Sequence, residues 1–201
     1  MELIAVIANG APGDDGDYRT RLDADEVRDY LEAAQEADAL LLLDIQPGRA
    51  DFLSEVKAFR KFLAEPNVGI ALDPEWSMGS GEVPGEQIGE TDAETINEVS
   101  DYLADLVREK RLPQKVLLIH RFTEAMIEDE RQIEQRPELA IVENADGFGH
   151  QAGKLSKYRR FTDDQDGLYE GFKLFYKEDT NLMSPEEVLD LSPEPDVVVY
   201  E

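Results

Sequence analysis

With 201 residues, 41% of them hydrophobic, the chain is long and apolar enough to bury a sizeable core, which argues against a disordered protein. The 46 Asp and Glu against 20 Lys and Arg leave a formal net charge of −26, which argues against binding to bare nucleic acid, since Lys and Arg drive that binding by neutralising phosphates. There is no cysteine, so disulfides, thiolate nucleophiles and thiolate metal ligands are excluded.

In chain order, the opening "MELIAVIANG" lacks the basic flank and small-residue cleavage site of a secretory leader, and its apolar run reads as a first strand. "DADEVRDYLEAAQEA" reads as a helix capped by Asp23 or Asp25, with Val27, Tyr30 and Leu31 on one side. "ALLLLDIQPG" is a second strand. "DFLSEVKAFRKFLAEP" reads as one helix, with Phe52, Val56, Phe59 and Phe62 at helical spacing and Pro66 beyond its end. "VGIALDPEW" is the third strand, followed by a glycine- and proline-rich loop. "TDAETINEVSDYLADLVREKRLP" is a helix with Thr91 or Asp92 near its cap, and "KVLLIHRF" the fourth strand. "TEAMIEDERQIEQRPE" reads as a shorter helix, "LAIVENADGFG" as the fifth strand and "QAGKLSKYRRF" as a helix. "LYEGFKLFYKED" is the sixth strand, "SPEEVLDLSP" a short helix and "DVVVYE" a seventh strand. No run of about 18 apolar residues occurs, so no membrane span is expected. The acids are dispersed along the whole chain, a pattern of adaptation to high salt, where screening relieves their repulsion.

Short apolar strands alternating with helices imply a parallel sheet of right-handed βαβ units. Such a sheet is either open and doubly wound or closed as a (β/α) barrel. The open form would often carry G-x-G-x-x-G after its first strand, and the sequence there is "NGAPGDDGDYRT". Polar residues stand instead at the ends of nearly every strand: Asn9, Asp44 with Gln46, Asp73 with Glu75, His120, then Glu143, Asn144 and Asp146, and the segment from Lys173 onward. Barrels build their sites from several strand ends in this way. The expected fold is a TIM-barrel-like α/β domain over residues 1–201, with about seven parallel strands, complete or with one strand missing or displaced.

Alternation along the third strand places Gly69, Ala71, Asp73 and Glu75 on one face, provided Pro74 keeps the pleat, and Val68, Ile70 and Leu72 on the other. The large residues would then pack outward. The small ones would leave room inside, where two carboxylates emerge beside Trp76, the only tryptophan. Neighbouring carboxylates push each other's pKa values apart, so that one can hold a proton near neutral pH while the other stays ionised. The structural alternative has Asp73 capping the loop and Glu75 paired with Arg121 or Lys173. His120 shares its phase with Val116 and Leu118 on a strand expected beside the third, so it faces the same cavity. Asn144 and Asp146 share one face of the fifth strand. Lys173 lies on one face of the sixth and Tyr176 and Glu178 on the other, and the pattern leaves open which set points inward. "GSGEVPG" reads as a lid or rim loop, and its glycines are not followed by the Lys-Ser/Thr of a phosphate loop.

"LDPEW", "VLLIHRF", "ADGFG" and "GFKLFYKEDTNLMSPEEVL" resemble an uncharacterised family of prokaryotic proteins, often secreted or envelope-linked, and that likeness implies an extracellular or envelope location. "GIALDPEW" is similar to the strand of family 18 chitinases that ends in D-x-D-x-E plus an aromatic residue, and to the D-x-E strand of family 25 lysozymes, although Ala71 stands where the chitinase strand has its first Asp. That likeness implies Glu75 as general acid and Asp73 as its helper. The expectation is a glycoside hydrolase of a polysaccharide or cell-wall glycan, with Glu75 and Asp73 catalytic and Trp76, His120, Asn144, Asp146, Lys173, Tyr176 and Asp44 binding substrate. It needs no cofactor or metal, and its partner is a carbohydrate polymer or oligosaccharide. The alternatives are a non-catalytic barrel binding a glycan or a protein, and a metal-dependent hydrolase using Asp73, His120 and Asp146.

Overall fold

The computed structural model describes residues 1–162 and 167–201. Its strands are β1 (Glu2–Ala8), β2 (Arg19–Arg21), β3 (Leu41–Ile45), β4 (Val68–Leu72), β5 (Thr91–Asp92), β6 (Lys115–Arg121), β7 (Ile127–Glu128), β8 (Leu139–Ala145), β9 (Tyr169–Leu174) and β10 (Val197–Tyr200). Its helices are α1 (Ala24–Glu36), α2 (Phe52–Ala58), α3 (Arg60–Leu63), α4 (Ala93–Lys110), α5 (Gln151–Thr162) and α6 (Pro185–Leu189). One sheet runs β10-β9-β8-β6-β4-β3-β1-β2, and β5 pairs with β7 separately. Apart from the antiparallel edge strand β2, every strand of the large sheet is parallel to its neighbours and stands in chain order. That order is singly wound, as in a barrel, and has no switch point of the doubly wound kind.

The sheet is strongly curled. In a flat sheet β1 and β6, three spacings of about 4.8 Å apart, would be separated by about 14 Å. Here Glu2 of β1 and His120 of β6 are joined at 2.8 Å. Residues of β1 and of β10 also wall one cavity. The result is an open barrel of seven parallel strands, with a seam between β1 and β10, where β10 pairs with β9 alone.

The two faces divide as the period-two pattern requires. Leu41, Leu43 and Ile45 of β3, Val68, Ile70 and Leu72 of β4, and Leu117 and Ile119 of β6 pack outward with Val27 and Leu31 of α1, Phe52 and Val56 of α2, and Ile96, Val99 and Leu103 of α4. Leu42, Ala71, Leu118 and Val142 form a smaller inward cluster, with Val116, Val197 and Val199 against it. A Cβ on Gly69 would meet the Val116 carbonyl oxygen at 2.6 Å and Leu42 Cδ2 at 2.7 Å. The glycine therefore admits Leu42 into the barrel interior and does not leave a void there.

Asp23, Asp51 and Asp92 cap α1, α2 and α4 with side-chain oxygens, and Glu26 completes a capping box on α1. Glu55 of α2 is fully buried and takes Arg19 at 2.9 Å and Arg21 at 2.5 Å, which fastens β2 to the helix layer.

The elements differ from the sequence reading at several points. Residues 123–138 are not a helix: Asp129 takes a left-handed conformation (φ 53°), Met126 and Ile127 are drawn into the interior, and β7 pairs with β5. The helix expected over residues 51–66 breaks at Phe59, whose N–H bonds to Val56 three residues back and whose ring is buried. The loop after β1 contains β2. The sixth strand stops at Leu174, before Tyr176.

Candidate active site

At the strand ends the inward faces converge on a cavity of about 550 Å³. Asp44 and Gln46 reach it from β3, Asp73, Glu75 and Trp76 from the end of β4, Asp146 and Gly147 from beyond β8, and Lys173 from β9. Pro74 does break the pleat: residues Pro74–Trp76 form a short 3-10 turn. Asp73 still points inward, as the last residue in strand phase. Glu75 reaches the same cavity from the turn, which the returning chain holds in place through the bond from Gly89 N–H to the Glu75 carbonyl at 2.7 Å. Gly89 has no alternative there, because a Cβ would lie 2.3 Å from the Ser77 oxygen. The loop of residues 79–85 contributes no lining residue.

β6 pairs with β4, and His120 points into the barrel. It is 1% exposed, beneath the cavity floor, with Nδ1 2.9 Å from Asp146 Oδ2 and Nε2 2.8 Å from Glu2 Oε1. Asn144 Nδ2 lies 3.2 Å from the same Nδ1. Burial alone would lower the imidazole pKa, but the bonds to Asp146 and Glu2 outweigh it and hold it well above its ordinary value. Lys173 Nζ stands 3.3 Å from Asp146 Oδ2 and 2.8 Å from Glu201 Oε2. Burial would raise the Asp146 pKa; the His120 hydrogen bond and the charges of His120 and Lys173 overcome this and keep it well below the usual carboxylate range.

The other carboxylates move the opposite way. Burial, with the charge of Asp73 and then of Asp146 added, lifts Glu75 to about 7. Burial, partly offset by His120, lifts Asp73 to about 6. Burial and the neighbouring Asp73 push Asp44 well above its ordinary value. Asp73 and Asp146 thus both lose their protons before Glu75 does, and Asp146 is held ionised the more firmly of the two. Neither expected tether forms among the described residues. Asp73 makes no side-chain cap, and Lys173 is engaged by Asp146 and Glu201. Arg121 points outward to Glu143 at 2.7 Å and sits 4.3 Å over the Phe161 ring.

Eight of the residues singled out in the sequence are thus gathered at one place: Asp44, Asp73, Glu75, Trp76, Asp146 and Lys173 on the cavity wall, with His120 and Asn144 beneath it. Tyr176 is not among them; it is 64% exposed, outside the lining, stacked on Tyr200 at 5.3 Å. Inward Lys173 settles which face of the sixth strand the cavity uses. Sequence reasoning missed Glu2 and the aromatic wall of Phe122, Phe148, Phe175 and Tyr200. Phe148, 63% exposed between two glycines and edge-on to Phe175 at 6.0 Å, carried a readable signal: a large apolar residue set in a turn.

No family profile matches the chain, and no curated protein matches it. Among solved structures the chain is similar, at 14% identity and a TM-score of 0.44, to a xyloglucan-specific endo-β-1,4-glucanase of glycoside hydrolase family 5 from a metagenomic library, solved with cellotriose; the likeness covers 94% of this chain and 70% of that one. No helix among the described residues is long and apolar enough to cross a membrane.

Proposed function

We propose that the protein hydrolyses glycosidic bonds of a polysaccharide or cell-wall glycan, with Glu75 as the proton donor. The observation that carries this reading is the position of Glu75: half-buried on the wall of an aromatic-lined cavity, with its carboxyl held to about 7. A donor must be protonated before the leaving oxygen departs, and a pKa near the working pH is the usual requirement. Asp146, tied to Lys173 and His120, stays ionised and faces the positive charge that develops on the sugar ring in an oxocarbenium-like transition state. Asp73 serves as the helper that raises Glu75 by like charge. Trp76, Phe148 and Tyr200 give flat apolar walls for sugar faces, and Asp44 and Gln46 offer polar atoms on the adjacent wall.

The test is hydrolysis of a panel of soluble glucans, chito-oligosaccharides and cell-wall glycan fragments by wild type and Glu75→Gln. The substitution keeps shape and removes the titrating proton. The expected loss in kcat/KM is about 10²–10⁴-fold with the melting temperature nearly unchanged. The wild-type rate should fall as pH rises through about 7, because the donor is then deprotonated. Full activity in Glu75→Gln, or no hydrolysis of any glycan by wild type, ends this reading. A large loss of stability in the variant would assign Glu75 a structural role instead.

A further inference from the structure

One group of side chains in the barrel takes no direct part in proton donation by Glu75. Glu2, Asp44 and His120 each present one ligand atom, and these atoms lie within 4.8 Å of one another. They come from β1, β3 and β6, so only the curl of the sheet brings them together. We propose that these three residues form a binding site for one divalent transition-metal ion of the Zn²⁺ type, at the floor of the cavity.

Two observations beyond the acidic character of the group support it. First, Asp44 is 4% exposed, lines the cavity, and has a fully buried Oδ1 without a hydrogen-bond partner among the described residues. A buried carboxylate oxygen with no donor is costly, and a cation supplies the missing partner. Second, His120 is oriented as a metal-binding histidine is. Its Nδ1 meets Asp146 Oδ2 at 2.9 Å, and its Nε2 faces Glu2 Oε1 at 2.8 Å. A carboxylate that takes the far N–H of an imidazole fixes the tautomer and aims the other nitrogen at the ion. Asp146 is in turn fixed by the Gly147 N–H and by Lys173. Its role is to position His120, and it is not itself a ligand.

The donor set also indicates the kind of ion. One imidazole and two carboxylates suit Zn²⁺ and its neighbours, whereas Ca²⁺ takes six to eight oxygens. Binding is an exchange with balanced charge and atoms: the ion displaces the proton between His120 Nε2 and Glu2 Oε1 and the proton of a neutral Asp44 carboxyl, and each displaced proton passes to solvent. The site shares Asp44 and Asp146 with the cavity of the proposed reaction, but Glu75, on the turn after β4, is not among its ligands.

Calorimetric titration of the EDTA-stripped 201-residue chain with ZnCl₂ and with CaCl₂ tests this. It is run in about 1 M NaCl, so that the dispersed surface acids are screened and only a built site retains affinity. One saturable equivalent of Zn²⁺ is expected, and none of Ca²⁺. Asp44→Asn and Glu2→Gln, both near-isosteric, should each weaken Zn²⁺ binding at least tenfold. His150→Ala, which removes the only other histidine, should leave it intact. The proposal is overturned if no saturable equivalent appears, if both carboxylate variants fold and bind as wild type does, or if the equivalent is lost with His150. Zn²⁺ binding by a wild-type protein that hydrolyses no glycan would sink the proton-donor reading alone.

Discussion

Replacing Asp73 by Asn should make the protein more stable, and more so as the pH rises. Asp73 is 6% exposed, and its Oδ1 is buried without a hydrogen-bond partner among the described residues. Burial lifts its carboxyl from an ordinary 3.8 to about 6, with His120 working against the rise. The folded protein thus holds this proton more tightly than the unfolded chain does. The stability it contributes is fully present below the unfolded pKa and is lost as pH rises through about 6. Above that window the ionised carboxylate costs about 3 kcal/mol, from about two pH units at about 1.36 kcal/mol each. Asn keeps the shape without the charge, so Asp73→Asn should gain about 3 kcal/mol near pH 8, about 6–12 °C in melting temperature for a chain of this length. At about pH 4.5 the gain should shrink to about 1 kcal/mol. Urea unfolding of both proteins at the two pH values, with EDTA present to remove bound cations, measures this directly. No gain near pH 8, or an equal gain at both values, would refute the reasoning.

Three further outcomes can be checked by the same unfolding measurements. Glu55→Ala removes the partner of Arg21 and one of three carboxylates paired with Arg19, which keeps Asp15 and Asp17, and should cost about 1.5–3 kcal/mol. Gly69→Ala drives a methyl group to 2.6 Å from the Val116 backbone oxygen, which cannot rotate away, and overpacking of this kind should cost about 1–3 kcal/mol. The melting temperature should rise from low to molar NaCl, because screening relieves the repulsion of a −26 net charge; a flat or falling profile would remove the salt-adapted reading.

The strand and helix pattern was legible because each strand of the open barrel is short, apolar and separated from the next by an amphipathic segment. The phase of Asp73 and His120 followed from alternation, whereas alternation left open whether Lys173 or Tyr176 points inward. Glu75 was placed in the cavity for a reason that did not hold, since Pro74 ends the strand; it arrives there on the turn instead. Residues 123–138 have helix-like spacing, but a left-handed Asp129 and two inserted apolar side chains prevail over it. Glu2 could not have been found from the sequence. It begins the first strand, at the opposite end from the C-terminal strand ends that carry the other site residues, and meets His120 only because tilted, curled strands bring residues of different height together across the interior. The raised Asp44 and Asp73 likewise depend on how many carboxylates one cavity collects, which is a property of closure and not of any single segment.

The seam between β1 and β10 has a practical consequence for handling the protein. Met1, Glu2 and the stretch from Val197 to Glu201 are themselves cavity wall. The Met1 amino group donates to the Leu40 carbonyl at 2.9 Å, and Glu201 neutralises Lys173 at 2.8 Å. An affinity tag or fusion partner attached beside Met1 or Glu201 therefore begins at the cavity wall. Ligand measurements on tagged material would report on an altered chamber. The exposed loop of residues 79–85, which has no lining residue, is the better place for a label.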